Sequence, residues 1–109
     1  MKGYENMKLM TEEIENKLRQ AGYLPDIDNW MEADVIVKYF NPCGVGTWLI
    51  VGGEEKNGDW MLFGYVTLGH GWEWGPVFLS DLKKYKGPFG LGIERDLYCG
   101  QQKINALSN

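Results

Sequence analysis

Residue types that perform covalent chemistry are scarce in this sequence of 109 residues, which has one histidine, His70, and two cysteines, Cys43 and Cys99. A cysteine or serine nucleophile needs a base held within hydrogen-bond reach. His70 lies between two glycines, where its side chain is expected to be exposed, and no catalytic signature surrounds Cys43, Cys99 or Ser80. We therefore predict no catalytic residue. The two cysteines are interpreted as buried or half-buried thiols, and a disulfide between them is left open.

Neither the acidic nor the glycine-rich segments have the spacing of a metal or nucleotide site. One histidine and two distant cysteines cannot form the usual zinc set. The acidic segment 26–34 lacks the Asp-x-Asp-x-Asp-Gly pattern of a calcium loop. The glycines of 69–75 and 87–92 do not match GxGxxG, and neither run leads from a strand into a long helix. We therefore expect no metal. We also expect no cofactor, because turn geometry explains these glycines better than a nucleotide-binding loop does.

A charged cluster near the carboxyl end is a candidate small-ligand site. In a regular strand over 93–98, Arg95 would share a face with apolar neighbours, while Glu94 and Asp96 would point the other way. An arginine on an apolar face needs a partner, because an unpaired buried charge is costly. Two interpretations stay open. Arg95 belongs either to an ion pair that fixes the last strand or to a ligand site with Glu94, Asp96 and Lys38.

The net charge of −4 is concentrated in the first third of the chain. Residues 1–34 carry eight acids and four bases, whereas the seven acids and seven bases of 35–109 cancel. We find no basic stripe for phosphate groups, which argues against direct nucleic-acid binding. No apolar run is long enough to cross a membrane and no secretory leader is evident, so a cytoplasmic location is expected. An acidic face would suit a basic partner surface.

Two tryptophans are candidate interface anchors. The chain has five tryptophans, more than the core of so small a sheet should need. Trp72 and Trp74 are flanked by glycines and are predicted to be partly exposed, as interface anchors are. Together with the acidic side chains of Glu12, Glu13 and Glu15, they form the predicted partner-binding surface.

Local patterns predict an N-terminal helix over 11–21. Thr11 has the character of an N-cap, acidic residues follow it in the first turn, and Gly22 is placed to end the helix. Residues 25–34 are predicted to form a loop with a short helical turn. Residues 1–8 and the tail 100–109 are expected to be loose.

The rest of the chain predicts an antiparallel meander. Strands are expected at 35–40, 47–51, 59–68, 77–79 and 93–99. Asn57-Gly58 is the preferred pair of a type I′ hairpin turn and joins the second and third strands. Residues 69–76 are interpreted as a connection. Ser80 is the predicted N-cap of a short helix over 81–85. These elements define one α+β domain over 1–109. Its sheet of four to five strands is expected to be covered on one face.

Several segments resemble one small bacterial family of chains of similar length. They are VKYFNP at 37–42, GDWMLFGY at 58–65, FLSDL at 78–82 and GPFGLGIERDLY at 87–98. The sequence departs from the family pattern at Gly92, where proline is usual, and at 72–75, where a Pro-Glu-Leu-Gly-like stretch is usual. The family is a domain of unknown function carried by plasmids, conjugative elements and phages near anti-restriction genes. The resemblance therefore implies a mobile-element context without an activity.

These observations lead to three hypotheses. The first is a non-catalytic protein-binding module of mobile-element origin. Such a module could, for instance, inhibit a host defence nuclease of a CRISPR or restriction system by binding the basic surface of that nuclease. The alternative is a small-ligand-binding module or minimal enzyme centred on Arg95, Glu94 and Asp96. The third is a structural accessory subunit, for which a homodimer would be suitable.

Overall fold

The computed structural model describes residues 8–97 and 99–108. Within these residues, five antiparallel strands form one sheet in the order β4-β3-β2-β1-β5. The strands are β1 Val37–Phe40, β2 Thr47–Lys56, β3 Asp59–Thr67, β4 Trp72–Phe78 and β5 Glu94–Arg95. Helix α1, Glu12–Ala21, precedes the sheet, and the short helix α2, Leu79–Lys84, lies between β4 and β5. This arrangement confirms the predicted α+β fold.

Helix α1 begins and ends where the sequence predicts. The side chain of Thr11 accepts a hydrogen bond from the backbone N–H of Ile14 at 3.2 Å. This N-cap satisfies one of the donors that a helix leaves free at its start. Gly22 adopts a φ of 78° and donates its N–H to the carbonyl of Leu18 at 2.8 Å. Ile14 and Leu18 are buried, so the apolar side of the helix faces the sheet.

The hairpin between β2 and β3 is confirmed as well. Asn57 and Gly58 have φ angles of 55° and 81°, as a type I′ turn requires at both central residues. The turn places Lys56 opposite Asp59 and thereby sets the pairing of the two longest strands. Asp59 consequently lies at the very start of β3, close to the turn.

Both faces of the sheet are covered, whereas the sequence led us to expect cover on one face only. The front face, which includes Tyr39, Ile50 and Leu62, packs against α1 and α2. The back face, which includes Leu49 and Val51, packs against two further short segments. These are the 3-10 turn Trp30–Glu32 and the one-turn helix α3, Ile104–Leu107. Two-sided cover is the physical requirement of strands that are apolar on both sides.

The expectation of a loose tail is wrong for residues 102–107. Ile104 is fully buried and donates its N–H to the carbonyl of Ala33 at 3.0 Å, and Gln102 accepts from the N–H of Val35 at 2.9 Å. The physical reason is that the back face needs apolar cover, which Ile104 and Leu107 supply. Residues 1–7 lie outside the described residues, so the prediction of a loose start is not addressed for them.

Several strand boundaries also differ from the prediction: β1 begins at Val37 and not at 35, and β2 runs to Lys56 and not to 51. The stretch from Trp72 onwards was expected to be a connection, but it pairs with β3 along its whole length as strand β4. Pairing with an existing strand overrides the weak strand preference of its glycine and proline. The last strand is shorter than 93–99, because β5 pairs only with Tyr39 and Phe40 at the end of β1.

The close approach of β2 and β3 requires glycine at one position. A Cβ atom on Gly64 would lie 2.2 Å from the carbonyl oxygen of Leu49, next to a register shift between Ile50 and Gly52. Gly75, the residue paired with Gly64 on β4, has no atom within 4 Å of the corresponding position. The two glycines therefore form a matched pair with opposite tolerance for a methyl group.

We predict that Gly64→Ala lowers the free energy of unfolding by about 1–3 kcal/mol or more, because backbone atoms must move to admit the methyl group. Gly75→Ala should change it by no more than about 0.5 kcal/mol. Urea unfolding of both variants beside the unchanged chain measures the difference. Equal effects of the two substitutions would show that the strands do not approach this closely.

Candidate protein-binding groove

Part of the front face is left open beside α2 and forms a groove. It has a volume of about 670 Å³ and lies between the β3–β4 side of the sheet and the segment that contains α2. Its apolar lining includes Trp48, Val66, Trp74, Val77, Leu82, Tyr85 and Ile93. A volume of this size is in the range of pockets that receive small molecules or side chains.

Helix α2, which forms one wall of the groove, is held by a carboxylate from the hairpin. The side-chain oxygens of Asp59 accept hydrogen bonds from the Ser80 hydroxyl at 2.5 Å, the Ser80 N–H at 3.2 Å and the Trp60 N–H at 2.7 Å. The prediction that Ser80 is the N-cap is wrong. Phe78 occupies that position without a side-chain cap, because the Asp59 carboxylate takes over the role and binds the hydroxyl of Ser80.

These hydrogen bonds favour the ionised form of Asp59. The hydrogen bond from the Ser80 hydroxyl is the main cause that lowers the pKa of this carboxyl, and partial desolvation opposes it. The backbone N–H groups of Trp60 and Ser80 and the nearby Lys83 lower the pKa further. Asp59 therefore stays an anion at neutral pH and keeps α2 fastened to the start of β3.

The opposite end of the wall is held by the β1–β2 loop. Asn41 donates from its side-chain nitrogen to the Tyr85 hydroxyl at 3.2 Å and to the Val45 carbonyl at 3.4 Å. Its backbone N–H donates to the carbonyl of Gly46 at 3.0 Å. One asparagine thus closes its own loop and positions the tyrosine that ends the groove.

The rim of the groove combines acidic and exposed apolar side chains. Glu73 on β4 and Asp81 on α2 are exposed, as is His70 in the β3–β4 loop. Val45 and Leu68, at the same rim, keep 68% and 57% of their surfaces exposed. The groove is therefore an apolar depression with an acidic edge.

The structure does not bring the predicted partner-binding residues together. Glu12 and Glu13 are exposed on α1, which covers the front face, and Glu15 on the same helix is half-buried. Trp72 and Trp74 are half-buried and pack on the back face. The acids of α1 and the rings of Trp72 and Trp74 thus belong to opposite faces of the sheet, although Trp74 also borders the groove.

Most of the surplus aromatic area is used for packing on the back face. The ring centroid of Trp74 lies 4.6 Å from that of Tyr65 and 5.1 Å from that of Trp30, and Trp72 stacks on Tyr65 at 5.2 Å. Phe63 completes this cluster. Such contacts stabilise the fold beyond the area that they bury.

The acids of α1 are partly paired with bases of the same helix. Glu13 lies 3.6 Å from Lys17, and Glu15 lies 3.6 Å from Arg19. Arg19 also contacts Glu55 at 2.8 Å. The sequence predicts the two pairs within the helix from their spacing, whereas the contact with β2 depends on how the helix packs.

The residues of the predicted ligand site are engaged in holding the chain ends. Lys38 and Asp96 form an ion pair at 3.5 Å. Arg95 donates from Nε to the carbonyl of Lys8 at 2.8 Å, and the buried hydroxyl of Tyr39 donates to the carbonyl of Leu9. Burial raises the pKa of Tyr39, so the hydroxyl remains a donor. Glu94 lies opposite Phe40 in the β1–β5 pairing. These contacts favour the structural interpretation of the cluster.

Neither cysteine forms a disulfide. Cys43 is half-buried and Cys99 is buried. Burial raises the pKa of the Cys99 thiol, and Asp96 adds to the effect, so the reactive thiolate is disfavoured. Among the described residues, no three His, Cys, Asp or Glu side chains are grouped so that they could hold a metal ion. No helix in this part of the chain is long and apolar enough to span a bilayer.

Sequence reasoning missed two features of this side of the molecule. The groove depends on the full length of β4, of which only the end, from 77 onwards, was predicted as a strand. The second feature is a basic and aromatic segment in which Lys83, Lys84 and Lys86 are exposed and Phe89 is 96% exposed. The run Lys-Lys-Tyr-Lys at 83–86 signals it in the sequence, although the cancelling charges of 35–109 conceal it.

The fold and the groove define a small α+β domain with an open, largely apolar depression on a covered sheet. The chain belongs to the family described as protein of unknown function DUF2958, which matches residues 9–108. This confirms the resemblance seen in the sequence. No curated protein and no solved structure is significantly similar to the chain.

We predict that the Asp59 carboxylate stabilises the fold in a pH-dependent way. Because its pKa is lower in the folded chain than its ordinary value of 3.8, the contribution is present above that value and is lost as the pH falls through the folded pKa. Asp59→Asn should therefore be less stable than the unchanged chain at pH 7, and the difference should shrink below about pH 4.

Thermal unfolding between pH 7 and pH 3 measures this effect. Asp28→Asn, in an exposed loop, controls for the change in net charge. A difference between Asp59→Asn and the unchanged chain that is constant over this range would show that Asp59 stabilises α2 without its charge.

Proposed function

We propose that this chain is a non-catalytic protein-binding module. Its groove receives an apolar side chain that is flanked by basic residues on a partner protein. The observation that carries the proposal is the open apolar groove, with Trp48, Val66 and Val77 in its lining and Glu73 and Asp81 at its rim. An exposed apolar depression with a polar edge is characteristic of interaction sites.

The apolar surface supplies the binding energy, and the charges supply the choice of partner. An aromatic side chain buries about 150–250 Å², which at about 25 cal/mol per Å² corresponds to about 4–6 kcal/mol before association costs. Those costs consume much of this gain. Rim carboxylates add attraction for a basic neighbour and repel acidic segments. Val45 and Leu68, exposed beside the groove, are further contacts for the partner.

The surroundings of the candidate nucleophiles support a binding role over a catalytic one. The Ser80 hydroxyl donates to Asp59, whose lowered pKa makes it a weak base. The Cys99 thiol is buried with a raised pKa. His70 is exposed at the groove rim. The groove is therefore better suited to holding a side chain than to activating a nucleophile.

The partner that best suits these charges is a basic protein, and we propose a nuclease of a host defence system. Glu12 and Glu15 on α1 line a depression that also includes Asp59 and Ser80. Helix α2 borders both this depression and the groove, so the acids of α1 and the rim carboxylates lie on the same side of the molecule, with Lys83 beside them. The mobile-element context implied by the family resemblance agrees with a protein that blocks such a nuclease.

The proposal predicts which peptides the groove selects. A library of displayed peptides, panned against the purified chain, should enrich for an aromatic or large aliphatic residue next to Lys or Arg. Glu73→Lys combined with Asp81→Lys should abolish the enrichment, because the reversed rim repels the basic neighbour. The matched control is Asp28→Lys with Glu32→Lys, which makes the same change of charge at exposed positions outside the groove.

Peptides that bind the rim variant and the control equally well would overturn the assignment of the groove. The absence of any enriched motif with the unchanged chain would overturn the proposed function itself.

The nuclease hypothesis predicts an effect in cells. Expression of the chain in bacteria with a CRISPR or restriction system should raise the recovery of a plasmid that the system targets. The rim variant should lose this protection, and the control variant should keep it. Recovery that is unchanged by the chain in both kinds of host would refute a role against these nucleases, while the peptide selection tests the groove independently.

The small-ligand alternative, centred on Lys38, Glu94, Arg95 and Asp96, remains a prediction. Lys38 and Asp96 bind each other, and Arg95 binds the backbone of Lys8. These contacts explain the charges without a ligand.

A further inference from the structure

The loop that follows α2 displays an aromatic side chain to solvent. Phe89, in the 3-10 turn Pro88–Gly90, is 96% exposed. Its backbone is in the left-handed region, with φ 63° and ψ 17°, which is unfavourable for a bulky side chain. Glycine or asparagine would suit this backbone better. Packing within the chain therefore does not account for phenylalanine at this position.

Basic residues lie close to Phe89 in the chain, and two of them, Lys83 and Lys86, line the same depression as the ring. Lys83, Lys84 and Lys86 are exposed, and Tyr85 keeps 40% of its surface exposed. We call residues 83–90 the Phe89 hook. The hook has the chemistry that the groove selects under the proposed function, namely an apolar side chain beside bases.

We propose that the groove of one copy of this chain receives the Phe89 hook of a second copy. The inference rests on the proposed function of the groove and names its first occupant. The apolar lining takes the ring of Phe89, and the rim carboxylates of Glu73 and Asp81 take the lysines. The chain leaves its own Phe89 exposed, so the hook is available to another copy.

The placement of the two parts permits a symmetric dimer. A second depression, which includes Phe89, shares Leu82, Tyr85 and Ile93 with the lining of the groove. Hook and groove are therefore neighbours on one side of the molecule. Two copies related by a twofold axis can each insert a hook into the other, which gives a closed, self-complementary interface.

The neighbouring charges favour a compact protein partner over an extended polyanion. Lys83 lines a depression together with Glu12, Glu15, Glu55 and Asp59. A nucleic acid or a flat anionic membrane that followed the lysines would meet these carboxylates. A hook from a second copy places its charges only at the groove rim.

A regulatory consequence follows from shared use of one groove. A basic partner and the second copy compete for the same lining, so the partner binds the monomer. A peptide obtained from the selection described above should dissociate the dimer as its concentration rises.

Sedimentation velocity over a range of protein concentrations tests the dimer. The unchanged chain should form a dimer, and Phe89→Gly should weaken its association by at least about 30-fold. Phe89→Gly also relieves the left-handed strain, so its melting temperature should not fall, which separates lost association from lost folding. Leu24→Ala, which removes an apolar side chain that is 60% exposed elsewhere, should leave the association unchanged.

Charge exchange tests the pairing of hook and rim. The chain with Glu73→Lys and Asp81→Lys and the chain with Lys83→Glu and Lys84→Glu should each be monomeric alone. Mixed together they should form a heterodimer, because each reversed surface then meets one of opposite sign.

Three results would overturn the inference. They are a chain that is monomeric up to about 1 mM, a Phe89→Gly variant that dimerises normally, and hook lysines that bind single-stranded DNA or anionic vesicles in place of the rim. A monomeric chain whose groove still selects basic and apolar peptides would refute the dimer and leave the proposed function standing. A dimer that depends on Phe89, formed by a chain that selects no peptide, would support the inference and refute a different, basic protein as the partner of the groove.

Discussion

The sheet is apolar on both sides, and each side must be covered by a chain of limited length. The back face is closed by the turn at Trp30–Glu32, by α3 and by a layer of aromatic rings. On the front face, α1 and α2 cover the part that contains Tyr39, Ile50 and Leu62. The remainder, which includes Trp48, Val66 and Val77, is left open as the groove. The groove is thus the place where the cover of an apolar sheet ends.

The carboxylate of Asp59 fixes the position of one wall of the groove. Asp59 stands at the end of the tight hairpin and binds the start of α2 through Ser80. The wall of the groove is therefore positioned by the strand that also supplies part of its lining. At the other end, Asn41 performs a similar task for Tyr85. Both supports are polar contacts at element ends, and the lining between them is mainly apolar.

The proposed function and the proposed dimer are two uses of one recognition chemistry. The groove offers apolar area with carboxylates at its edge, and the hook offers an aromatic ring with lysines beside it. A domain that carries both halves can hold its binding site closed against weak partners, because any partner must displace the second copy. A basic protein with a stronger contact would shift the population toward the monomer. The acids of α1 lie on the same side and add to the attraction for such a partner.

The sequence by itself determined the local elements of this protein. Thr11 and Gly22 specify the ends of α1, and Asn57-Gly58 specifies the hairpin, because caps and type I′ turns depend on a few adjacent residues. The family resemblance was equally visible in short motifs.

Only the tertiary structure decided the rest. Trp72 to Phe78 became a strand because β3 offered an edge to pair with, and Ile104 became core because the back face needed cover. The groove and its relation to Phe89 arise from contacts between segments far apart in the chain. No local pattern encodes such contacts, since their free energy exists only once the sheet has formed.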